Sequence, residues 1–177
     1  TGPGHFIALA EETGLINEIG DWVFQAAARQ VAIWRRQISD EFQISVNKSP
    51  VQFQNPHHTP EDWFAYLDRL GLPGQSIVVE ITEGLLLDAG TSVHNHLMAF
   101  RDAGMQVAID DFGTGYSALS YLKKFDIDYL KIDQSFVRNL AADSSDFILC
   151  EAIIVMAHSL RLKVVAEGVE TDQQRAL

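Results

Sequence analysis

Residues 106–115 read QVAIDDFGTG, and how this stretch is read decides the fold. An apolar, strand-like run over residues 107–109 ends in two adjacent carboxylates, Asp110 and Asp111, and then in a glycine-rich turn. Neighbouring anions repel, and one of them carries a raised pKa unless a positive charge sits beside the pair. A cation is the natural candidate. A helix cap or an Asx turn ahead of Gly113 explains the two aspartates as well, and the motif alone does not choose.

On either side of this stretch, helical patterns and apolar strands alternate, as in a parallel α/β sheet. Residues 15–37 carry Ile16, Ile19, Val23, Ala27 and Trp34 at helical spacing after a break at Gly14, and they yield to the strand FQISVN, ending at Asn47. In the next helix Thr59 is placed to cap and Pro60 suits the first turn. Trp63, Leu67 and Leu70 form its apolar face, and Gly71 and Pro73 stop it. The strand SIVVEITE follows. Val93, Leu97 and Phe100 mark a further helix, stopped by Gly104, that leads into QVAIDD. A short helix over about residues 118–124 precedes YLKID, and a longer one over residues 145–160 precedes KVVAEGVE.

Five strands are therefore expected, each largely continuous in Val, Ile and Leu, as when helices cover both faces of a sheet or surround a barrel. Asn47, Glu80, Asp110, Asp111, Lys131 and Glu167 all fall at or near the C-terminal end of a strand. In parallel α/β folds that edge binds ligands.

An amide oxygen with several carboxylates suits Mg²⁺ or Mn²⁺ and not a soft metal. Two adjacent aspartates let one bridge two ions while the other binds a single ion, at the separation of about 3.5–4 Å used in two-metal hydrolysis. Each residue also has an ordinary reading. Glu80, inside VVEIT, is costly to bury unless it is paired or metal-bound, and an ion pair would serve. Lys131 fits a structural partner for a carboxylate, Asn47 a common strand-end residue, and Glu167 and Glu170, flanking a Gly-Val turn, solvent-facing groups. An unrelated barrel enzyme using Lys131 as a Schiff-base nucleophile is a further reading.

The chain has 177 residues, 47% hydrophobic, enough for one domain with its own core. A net charge of −11 excludes a sequence-independent grip on nucleic-acid polymers, which needs clustered Lys and Arg. A phosphate-bearing ligand then requires local positive charge, which metal ions can supply. Cys150 is the single cysteine, so neither an internal disulfide nor a cysteine zinc cluster can form, and it reads as core. Without an apolar stretch of membrane length or a charged n-region before TGPGHFIAL, this segment reads as soluble and cytoplasmic, with no membrane contact of its own. His57, His58, His94 and His96 read as surface residues, while Phe112, Tyr116 and Phe136 read as core packing.

The stretches FIALAEETGLI, SVNKSPVQF, VVEITE, IDDFGTGYSAL, LKIDQSFV and VVAEGVET occur in the order and spacing of the bacterial EAL domains, which hydrolyse cyclic di-GMP, and the chain resembles that family from about Gly4 to its last residue. The resemblance implies Asn47, Glu80, Asp110 and Asp111 as metal ligands, with Asp110 bridging two Mg²⁺ or Mn²⁺ ions. Lys131 and Glu167 would organise or deprotonate the attacking water. It implies Glu83 as a loop-ordering glutamate linked to dimer contacts, Glu170 in the outer site, and in-line opening of cyclic di-GMP to linear pGpG. A homodimer, with sensor or GGDEF-type domains in a possibly membrane-anchored parent chain, would follow.

The family's Glu-Ala-Leu strand would precede this sequence, and its closing strand would follow Leu177. Glu151-Ala152-Ile153 sits in a helical run instead. Because a complete TIM-type (β/α) barrel takes about 250 residues, residues 1–177 are expected to form a partial domain, an incomplete barrel with about five parallel strands. Lys48 and Ala118 depart from the family at positions expected to bind nothing essential. The alternative within the same resemblance is a catalytically inactive cyclic di-GMP receptor.

Overall fold

The computed structural model describes residues 2–87, 90–113, 122 and 124–177. In chain order these form a 3-10 turn Pro3–His5, α1 Ile7–Thr13, α2 Ile16–Gln37, β1 Ile44–Asn47, α3 Pro50–Gln54, α4 Pro60–Leu70, a 3-10 turn Gly74–Ser76 and β2 Ile77–Thr82. There follow α5 Glu83–Leu87, α6 Thr91–Asp102, β3 Gln106–Phe112, β4 Tyr129–Ile132, α7 Gln134–Arg138, α8 Ser145–Ser159, β5 Lys163–Ala166 and α9 Asp172–Ala176. The expected short helix near residues 118–124 lies largely outside the described residues, as do Tyr116 and Ala118. All five expected strands are present, giving an α/β fold with fewer strands than the eight of a closed barrel.

The chain divides into two compact units, Thr1–Ile81 with Ala89–Val107, and Thr82–Asp88 with Ala108–Leu177. In the first, β1 and β2 pair in parallel, with Asn47 the register partner of Glu80. Residues 77–81 of β2 are buried throughout, which accounts for the unbroken Ile-Val-Val run before Glu80. Helix α2 buries Ile16, Gly20, Phe24, Ala28 and Val31. That stripe departs from the face read off the sequence: Val23 is exposed, and Ile19, Ala27 and Trp34 are only half-buried. The reason lies in the small residues. A side chain at Gly20 would overlap the Gln52 amide of α3, so the closest approach follows Gly20 and not the bulkiest side chains.

Above that seam Phe24 stacks on Trp63 with ring centroids 4.0 Å apart, and Trp63 lies 6.0 Å from Phe100. Each such ring contributes about 1.5–3 kcal/mol by burial. Thr59 occupies the N-cap position of α4, but its hydroxyl bonds the Glu61 carboxylate and makes no backbone cap.

The histidines correct the sequence reading. His57 is exposed as expected, but His58, His94 and His96 are half-buried. His58 Nδ1 lies 2.9 Å from Asp21, and the His96 ring lies 5.4 Å from that of Phe53. Position 96 follows Val93 by three residues and precedes Phe100 by four, so it belongs to the buried stripe of α6. Burial, then the nearby Lys48 charge, hold the His96 pKa below 6.5, with Glu61 opposing. The unfolded chain therefore takes up this proton first as pH falls, and stability declines below about pH 6.5 until the folded imidazole also titrates. His96→Gln should flatten that part of the melting-temperature profile. Parallel profiles for parent and variant between about pH 7.5 and 5 would contradict this account.

In the second unit the strands lie in the order β3-β4-β5, all parallel. Its core gathers Ile109, Leu130 and Ile132 from the strands with Cys150, Ile153 and Ala157 from α8, so Cys150 is core as expected. Glu151-Ala152-Ile153 lies within α8, again as expected.

Candidate metal centre

The pairing of β3 with β4 answers why two aspartates adjoin. Ile109 pairs with Leu130 and Phe112 with Ile132, so Asp110 and Asp111 together stand opposite Lys131 alone. This is a bulge, one extra residue in one strand. In a regular strand neighbouring side chains point to opposite faces, and only one carboxylate would reach a given side. The bulge turns the backbone at Asp111 to φ 55°, a left-handed conformation that Asp tolerates better than most residues. Asp110 Oδ1 supports that turn by accepting the Asp111 N–H at 3.1 Å.

As a result, one carboxylate oxygen from each of Asp110, Asp111 and Glu167 lie within 4.8 Å of one another. Lys131 stands among them, its Nζ 2.9 Å from Asp110 Oδ1 and 2.7 Å from Glu167 Oε1, with a side chain only 12% exposed. The structural-partner reading of Lys131 is thus correct. An ammonium ion-paired to two carboxylates is the opposite of the neutral, desolvated amine that Schiff-base chemistry requires. Partial burial of its carboxyl, then the charge of Asp110, raise the pKa of Asp111. A carboxylate so placed gains from a nearby cation.

A residue missed by the sequence reading joins this group. Asp133, just beyond β4, accepts hydrogen bonds from Ser135 that lower its pKa, and it shares a hydrogen bond with Asp111. The signal was its place two residues after Lys131, but an aspartate ahead of a helix also reads as a cap, and Asp133 does cap α7.

Glu83 opens α5 and is 3% exposed. Its Oε2 accepts the Gly113 N–H at 3.2 Å and so fixes the turn that follows the aspartates. Gly113 has φ 98°, and a Cβ there would stand 3.0 Å from the Phe136 ring, so a side chain at this position would be strained. Phe112 is core and Phe136 half-buried. Glu170 is exposed; its backbone N–H donates to Gln174 Oε1 at 2.8 Å, and it stands outside the carboxylate cluster.

In the first unit Asn47, the last residue of β1, is the register partner of Glu80 inside β2, Asn47 exposed and Glu80 7% exposed. The chain matches the family described as EAL domain over residues 1–177. It belongs to that family. The EAL domain is 41% identical over 176 residues to the bifunctional diguanylate cyclase/cyclic di-GMP phosphodiesterase MucR of Pseudomonas aeruginosa, covering 98% of this chain and 25% of MucR. It is 38% identical over 175 residues to the cyclic di-GMP phosphodiesterase NbdA of the same organism, covering 99% of this chain and 22% of NbdA. The solved PaMucR phosphodiesterase in complex with c-di-GMP superposes with a TM-score of 0.90 at 39% identity, covering 98% of this chain and 75% of that one. The EAL domain thus spans about a quarter of the length of the curated relatives it matches. Among the described residues no helix is long and apolar enough to cross a membrane.

Lys48, expected to bind nothing essential, is 5% exposed, its ammonium over the rings of Trp63 and Phe53. Burial lowers its pKa to about 8, against the raising effect of Asp21.

Proposed function

We propose that this EAL domain hydrolyses cyclic di-GMP to linear pGpG by in-line attack of water on one phosphodiester, using two divalent ions, Mg²⁺ or Mn²⁺. The observation that carries this reading is the convergence of Asp110, Asp111 and Glu167 around Lys131 at the strand ends. Their donors are all oxygens, and burial, then the neighbouring charge of Asp110, raise the pKa of Asp111, so the set fits hard cations. Asp110 and Asp111 would hold the metals, and Asn47 and Glu80 are proposed as further ligands. Such ions, when bound, acidify a coordinated water and offset charge on the phosphodiester oxygens.

Lys131 holds the Asp110 and Glu167 carboxylates in fixed directions. That leaves Glu167 to orient the attacking water and accept its proton. Glu83 keeps the turn after the aspartates in place through Gly113, and Asp133 restrains Asp111. Glu170 would belong to the outer part of the site. The MucR and NbdA names favour an active phosphodiesterase over a receptor. Since those relatives are several times longer, we take the chain to act as one module of a multidomain signalling protein, working as a homodimer in the cytoplasm.

The full-length protein, assayed with cyclic di-GMP and added Mg²⁺ or Mn²⁺, should release pGpG detectable by chromatography, and EDTA should abolish the release until metal is restored. Binding of cyclic di-GMP without hydrolysis under every metal condition would instead assign a receptor.

A further inference from the structure

Lys48 follows Asn47 directly, yet its side chain enters the core of the first unit. Its Nζ stands 4.4 Å from the Trp63 ring centroid and 5.3 Å from that of Phe53. The counter-charge is Asp21, which accepts Trp63 Nε1 at 3.2 Å and pairs with His58 Nδ1 at 2.9 Å, so the cage has a fixed wall. The backbone of the same residue ties the end of β1 to β2: the Lys48 N–H donates to the Glu80 carbonyl at 2.9 Å, beside the Asn47–Glu80 register pair.

A buried ammonium is a poor choice for stability alone, since apolar residues of similar volume in such places are often neutral or stabilising. The lowered pKa of Lys48 records the same desolvation penalty. A cation over aromatic faces is directional in a way that an apolar side chain is not.

We propose that Lys48 is a positioning residue: its caged ammonium anchors the end of β1 to α3 and α4 and thereby sets the directions of the Asn47 and Glu80 side chains. This rests on the reading of Asn47 and Glu80 as metal ligands. Lys48 itself touches neither metal nor substrate.

The test is a Mn²⁺ titration of the full-length protein, followed by electron paramagnetic resonance of the free ion without cyclic di-GMP, alongside thermal melting. Lys48→Met fills the cage without the charge, and Lys48→Arg keeps a cation over the rings. Lys48→Met should raise the half-saturating Mn²⁺ concentration about tenfold, as loss of a residue supporting a ligand commonly does, while Lys48→Arg stays within about threefold. Both should melt within a few degrees of the parent. Unchanged or tighter Mn²⁺ binding by Lys48→Met overturns the proposal, tighter binding being what loss of a neighbouring positive charge alone would give. So does weakening that tracks a lowered melting temperature without rescue by Lys48→Arg. Asn47→Ala separates the two layers: if it leaves Mn²⁺ binding intact, the ligand reading itself fails, whereas weakening by Asn47→Ala without weakening by Lys48→Met removes only the role of Lys48.

Discussion

Asp110→Ala in the full-length protein should lower turnover of cyclic di-GMP on the order of a thousandfold or more, because under the proposed mechanism it would withdraw a metal ligand on which both nucleophile and oxyanion stabilisation would depend. The substitution also deletes the ion pair to Lys131 at 2.9 Å and the acceptor that holds the Asp111 backbone turn. Asp110→Asn separates these effects. It keeps an oxygen for the Asp111 N–H and removes the charge, so the bulge should survive while turnover still collapses. Retention of more than about a tenth of parental turnover by Asp110→Asn would contradict the proposed role, since removal of a single oxyanion donor alone costs about 10²–10³.

Lys131→Met should lower turnover by about 10²–10⁴, the range for a group on which positioned proton transfer depends. The ammonium links Asp110 to Glu167, and its side chain is only 12% exposed, so its loss leaves carboxylates facing each other without their common partner. Breaking a fully buried pair costs about 3–5 kcal/mol, and this largely but not fully buried arrangement should lose less, lowering the melting point without unfolding the protein. Loss of a positive charge leaves the site more attractive to cations, so half-saturation by Mn²⁺ should not rise. A loss of turnover explained wholly by weaker Mn²⁺ binding would show that Lys131 only builds the metal site.

The strand ends were legible in the sequence because parallel strands under helices are apolar throughout, and a charged residue inside one stands out. Glu80 and Lys131 are of this kind, and the structure makes Asn47 and Glu80 register partners. The phase of α2 was not legible. Hydrophobic periodicity weighs bulky residues, whereas the closest approach runs along Gly20 and Ala28, where the absence of side-chain volume is what counts. The burial of Lys48 was not legible either, because one of the two rings that enclose its ammonium, Trp63, comes from a separate helix, α4. Asp133 was hidden by having two duties, since the cap of α7 already explains an aspartate there.

The offset between β3 and β4 was beyond any reading of β3 alone, because it is defined by where the partner strand stands. It also bears on how such a sheet can change. Deleting one residue between Ile109 and Phe112 would let the ladder close without interruption and release the left-handed kink at Asp111. The shortened chain would be the better-zippered sheet and would present one acid where chemistry asks for two. Foldability and the proposed catalysis thus pull on this single insertion in opposite directions.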